Sequence, residues 1–153
     1  MAIIAVLTLV SGYLIKPLRI YYPLVVLMFL AGAANGVMDT LTFHYPVSVF
    51  STFDNQQFVN PMVSWENKYE KDSEGNLVQP LKAKFIGATT FLVFVTDLWH
   101  FAKMFMLTCF WASIILHPKP RYQKRLFWML VAVMDYIAFT AGFTLFYSWL
   151  LII

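Results

Sequence analysis

Four side chains able to ligate a metal or carry a proton flank the polar middle of this chain: Asp39 and His44 ahead of it, Asp97 and His100 beyond it. Asp97 and His100 stand three residues apart inside residues 85–116, an apolar run long enough to cross a bilayer. A charge at the centre of such a segment costs about 2.5 to 3.5 kcal/mol on insertion scales, so it is expected to face a protein interior and to have a partner or a task. Carboxylates and imidazoles are ligands that zinc, iron and manganese accept, and an aspartate and a histidine at i,i+3 project to one side of a helix, as half-sites do in carboxylate-bridged bundles. A divalent ion held by Asp39, His44, Asp97 and His100 would activate a water for hydrolysis of a lipid or periplasmic ester, amide or phosphoester. Glu66, in the polar stretch, is the carboxylate available as general base.

Other readings of the same residues stay open. The four groups could form an internal hydrogen-bonded network with no ion. His44 and His100 could be axial ligands of a b-type haem between neighbouring helices, which leaves the aspartates without a role. A non-catalytic accessory subunit of a membrane complex, docking through aromatic residues of the polar stretch, needs no site at all. Nucleophilic catalysis finds less support, because Ser48, Ser51 and Ser64 have no G-x-S-x-G context. HExxH, CxxC, phosphate-loop and dinucleotide patterns are missing too.

The elements that must position these residues are membrane spans. Hydrophobic residues make up 60% of the 153 and charged ones 12%, about half the usual share of a soluble domain. Basic residues cluster beside apolar segments rather than forming a soluble basic face, so nucleic acid is not an expected partner. Cys109, the one cysteine, lies within an apolar run and reads as a small buried residue. The expected spans are about 2–15, 20–39, 85–116 and 126–153, with an outward-facing loop over 45–84. The first is short, and without a basic region before it or a small-residue cleavage site after it, it is not read as a cleaved signal peptide. Within the loop, Asn60 followed by Pro61 predicts a helix start that puts Trp65 and Tyr69 on one face. The turns at Lys16 and Arg19 and at Lys119 to Arg125 are purely basic, whereas the loop mixes signs. Four spans put both basic turns in the cytoplasm and both termini in the periplasm.

Counting 1.5 Å per residue from the cytoplasmic ends places Asp39 and Asp97 at the same level, each about 28 Å along its span. Asp39 shares a face with Gly32 and Gly36, a GxxxG pattern that lets another helix approach closely. Thr90, Asp97, His100, Met104 and Thr108 form one stripe on the third span, expected to face inward. Lys103 and Asp135 lie deep enough in their spans that a structural ion pair is expected between them.

The segments Asp39-Thr40-Leu41-Thr42-Phe43-His44, Trp65-Glu66-Asn67-Lys68-Tyr69 and Thr96-Asp97-Leu98-Trp99-His100 resemble those of small polytopic membrane proteins of Bacteroidota-type bacteria. The resemblance implies a bacterial inner-membrane location and suggests that the three segments belong together, and it transfers no catalytic role. The expectation is an all-α chain forming one membrane domain over 1–153, a four-helix transmembrane bundle. Its partners would be the bilayer and either a membrane protein or further copies of itself.

Overall fold

A computed structural model describes residues 21–117 and 125–153 of the chain. The expected first span at 2–15, the basic turn at Lys16 and Arg19, and residues 118–124 lie outside the described residues. Three helices, α1 (Tyr22–Phe43), α2 (Leu98–Leu116) and α3 (Arg125–Thr144), carry the fold, with no strand longer than an isolated bridge among the described residues. Each is long and apolar enough to cross a membrane, α3 together with its continuation through Leu150.

Small residues decide how α1 meets α3. A Cβ at Gly32 would stand 1.9 Å from the Phe139 carbonyl oxygen, and one at Gly142 would stand 2.0 Å from that of Phe29. The two backbones are therefore in direct contact, an approach that only glycine permits. Gly36 extends the same seam one turn on, where a Cβ would lie 3.0 Å from the Phe143 carbonyl oxygen. Against the other side of α1 lies α2, which buries only Ala102, Cys109 and Ser113.

α1 runs one turn further than the expected second span, and His44 ends it as C-cap ahead of Pro46. Beyond Thr144, α3 widens into π-type turns over Leu145–Leu150, where the Leu151 N–H donates to the Phe146 carbonyl at 3.1 Å. The chain end then folds onto the loop: Val49 N–H donates to Leu151 O and Ile153 N–H to Val47 O, each at 2.9 Å. Leu41, Phe50, Val59 and Leu151 form a buried cluster there, with Leu98, Trp99 and Phe146 packed around it. Each such buried side chain contributes about 2 kcal/mol. This cluster fixes the loop, the start of α2 and the end of α3 as one unit, called here the loop end of the bundle.

Within the loop, Asn60 caps a helical turn at Pro61–Ser64, its side chain accepting from the Met62 N–H at 3.0 Å. The chain continues as a 3-10 turn over Trp65–Lys68, and the rings of Trp65 and Tyr69 meet edge to face at 6.2 Å. Backbone bonds between Glu70 and Lys82 and between Asp72 and Asn76, each 2.9 Å, fold residues 68–84 into a short hairpin.

The apolar run at 85–116 is not one helix. Residues 85–96 form successive tight turns, including a 3-10 turn at Val93–Val95 and a positive φ of 87° at Gly87. The helix starts only after Asp97, whose extended backbone (φ −159°, ψ 160°) makes it the N-cap.

Candidate active site at the loop end

Asp97 is buried, and its carboxylate is held from three directions. Oδ1 accepts the His100 backbone N–H at 2.9 Å, the helix-capping bond. Oδ1 and Oδ2 lie 2.9 and 2.7 Å from His100 Nδ1. The Thr96 hydroxyl stands 3.0 Å from Oδ2 and 2.7 Å from the Val93 carbonyl, so its single proton is shared between them. A carboxylate without its proton can only accept, so the neutral tautomer that suits this contact has the proton on Nδ1 and the lone pair on Nε2. The carboxylate sits at the positive end of α2, where an anion is favoured.

The i,i+3 spacing brings Asp97 and His100 together through the cap rather than through a shared helical stripe. Ala102, Cys109 and Ser113 mark the buried face of α2, and at 100° per residue His100, Met104 and Leu107 fall on the opposite face, with Lys103 on the flank between. The expected inward stripe thus points away from α1, and residues 90–94 roof it over. His100, Lys103, Met104 and Leu107 with Thr90, Phe91, Val93 and Phe94 line an open cavity of ≈ 330 Å³. A cap at Asp97 rotates nothing, but by ending the helix there it frees the preceding residues to fold back as that roof.

Two further segments brace the site. Trp99 Nε1 donates to Thr42 Oγ1 of α1 at 3.2 Å, and Asn67 Nδ2 donates to the Thr96 carbonyl at 2.9 Å and also to the Gln57 carbonyl. The three segments singled out in the sequence therefore converge, although the residues that join them are Thr42, Asn67 and Thr96. Only the presence of these residues in those segments hinted at them.

The remaining expected donors go elsewhere. His44 Nε2 is 2.7 Å from the Tyr147 hydroxyl, at a ring separation of 5.2 Å, because the π-type turns of α3 bring Tyr147 to the end of α1. Asp39, half-buried on α1, makes no hydrogen bond or ion pair among the described residues. Among the described residues no three histidine, cysteine, aspartate or glutamate side chains converge as a metal centre. Of the expected set of Asp39, His44, Asp97 and His100, the structure brings together Asp97 and His100 and adds neither Asp39 nor His44 to them. His44 Nε2, one of the two nitrogens expected as axial haem ligands, meets the Tyr147 hydroxyl. Glu66 is bound at 2.8 Å to Lys71 in the loop hairpin and does not line the cavity.

Lys103 and Asp135 do not pair. Lys103 Nζ rests 5.1 Å from the Trp99 ring centroid on α2, while Asp135 Oδ1 on α3 is buried without a hydrogen-bond partner among the described residues. The two helices each contact α1, and their facing sides do not bring these two residues into reach.

No protein family matches the chain, and neither curated proteins nor solved structures offer a match.

Proposed function

We propose that this chain is a four-span protein of a bacterial inner membrane, and that the cavity at its loop end is a hydrolytic site facing the periplasm. Three spans are the described helices, and residues 2–15 supply the fourth. His100 is the general base. Its Nε2 takes a proton from a water, the oxygen adds to the carbonyl or phosphoryl centre of an ester, and the protonated ring then returns the proton to the leaving alkoxide. Acid and alcohol are the products, and no further reactant is consumed. Asp97 orients the ring and stabilises its protonated form, the part an aspartate plays behind a histidine in serine hydrolases.

The observation that carries this reading is the double approach of the Asp97 carboxylate to His100 Nδ1, at 2.7 and 2.9 Å, in a ring that lines a cavity. The test is turnover of short-chain acyl esters, phosphodiesters and phospholipid vesicles by the full chain in detergent. Wild type is expected to exceed buffer on at least one class, and His100→Gln to lose about a hundredfold or more. Wild type inert on every class, or His100→Gln as active as wild type, overturns it.

A second reading, an accessory subunit, draws on Trp111, Ile114 and Ile115, exposed on the outward side of α2. A stoichiometric partner retained from native membranes, with no turnover, favours that reading instead.

A further inference from the structure

The cavity beside His100 carries a positive charge that the chain does not neutralise. All eight acidic residues lie among the described residues, and none of them forms an ion pair with Lys103, since Glu66 is taken by Lys71 and Asp97 by His100. Lys103 belongs to a helix apolar enough to cross a membrane, on an exposed flank of it. An ammonium left there without a counter-charge is expensive, and lysines near helix ends meet that cost by reaching back toward the headgroups. Lys103 does reach back. It stands about 7.5 Å below the helix start by rise per residue, and its Nζ lies over Trp99, one turn nearer the loop end.

The rest of the lining is arranged by depth. Met104 and Leu107 lie further into the membrane than the Lys103 ammonium, and Phe91 and Phe94 of the roof face the same cavity. The lining sets a cation, an imidazole and an apolar slot side by side. A phospholipid offers the complement to all three: a phosphate, a glycerol ester and an acyl chain.

We infer that the cavity admits an anionic phospholipid sideways from the bilayer, its phosphate on Lys103, its ester linkage beside His100 and its chain over Met104 and Leu107. Free phosphate would satisfy the ammonium but leave the apolar slot without an occupant, so the lipid is the ligand. The inference takes the His100 cavity as the working site and in that sense rests on the hydrolytic reading. Its measurement is lipid retention rather than turnover.

The experiment reconstitutes the full chain with equal phosphatidylglycerol and phosphatidylcholine, extracts it in mild detergent and counts retained lipids by native mass spectrometry. Wild type is expected to retain phosphatidylglycerol over phosphatidylcholine. Lys103→Gln is expected to lose about fivefold of that preference, the size of one lysine contact with an anionic surface, and Lys103→Arg to keep it. Wild type that retains phosphatidylglycerol selectively yet turns over no ester would support this inference and overturn the hydrolytic reading, which separates the two claims. Equal retention of both lipids by wild type overturns the inference without any variant having to fold. So does Lys103→Gln matching wild type, or inorganic phosphate displacing phosphatidylglycerol as well as added lipid does.

Discussion

Asp97 performs two tasks with one carboxylate, and substitutions can separate them. As N-cap it accepts the His100 N–H, and as a partner of the ring it fixes which nitrogen carries the proton. Asp97→Ala removes both and is expected to lower stability by about 1 kcal/mol through the lost cap. Asp97→Asn keeps an oxygen for the cap but loses the charge behind the ring, so stability should hold while turnover falls. Thermal unfolding in detergent followed by tryptophan fluorescence, beside ester turnover, reads the two effects, and equal melting of the two variants would contradict the division. Asn67→Ala should cost about 1 kcal/mol on the same melt, by leaving the Thr96 carbonyl without its partner. The nearness of Asp97 and His100 was legible from their i,i+3 spacing, but as two ligands on one helix face; that Asp97 caps the helix was not. Asn67 with Thr96, and His44 with Tyr147, were not, because 29 and 103 residues separate the partners and no periodicity spans such gaps.

Hydropathy marks which residues leave water, not the backbone they adopt, and residues 85–96 show the difference. They are as apolar as a span, yet Gly87 at positive φ and a string of tight turns keep them out of the helix, and Asp97 starts it. Asp97 lies inside that run, where an aspartate can start a helix, and hydropathy alone does not register it. Gly32 and Gly36 were readable as a close-approach pattern; that the neighbour would be α3, through Gly142, required the fold. Gly32→Ala and Gly142→Ala each put a methyl group within 2.0 Å of a backbone carbonyl oxygen on the facing helix. The helices must separate, at about 1 to 3 kcal/mol or more, and unfolding in mixed micelles should show both variants less stable than wild type. Unchanged stability would mean that the two backbones do not touch. In the hairpin, Asp72 accepts the N–H groups of Asn76 and Glu74 at 2.9 Å each. The Asn76 bond, first among these contacts, holds the carboxyl below its ordinary 3.8. Because the folded value is depressed, the turn has its full support above 3.8 and loses it as pH falls through the lower folded value. Acid titration of the Asn76 amide by NMR should show a midpoint below 3.8, and a midpoint at or above it contradicts the bonding.

The sidedness of the whole molecule decides which substrates the cavity can meet. Ser48 and Ile152 form an antiparallel bridge, so the end of α3, the loop and the His100 cavity share one end of the bundle, and the last residues of α2 and the first of α3 lie at the other. This holds whether or not residues 2–15 cross the membrane. Orientation then rests on charge. The sequence between α2 and α3 brings Lys119, Arg121, Lys124 and Arg125 with no acid, whereas the loop balances its lysines with Asp54, Glu66, Glu70, Asp72 and Glu74. Since lysine and arginine in short loops stay cytoplasmic, the cavity should open to the outer leaflet. Cys109 is buried and is the one native cysteine, so Cys109→Ser gives a clean background. In that background Ser73→Cys is expected to react with a membrane-impermeant maleimide on intact spheroplasts, and Arg121→Cys only after the membrane is opened. The reverse pattern would turn the cavity toward the cytoplasmic leaflet. Lipid could still reach Lys103 there, but a periplasmic substrate could not reach His100, so the labelling separates the membrane-lipid version of the function from the soluble-substrate one.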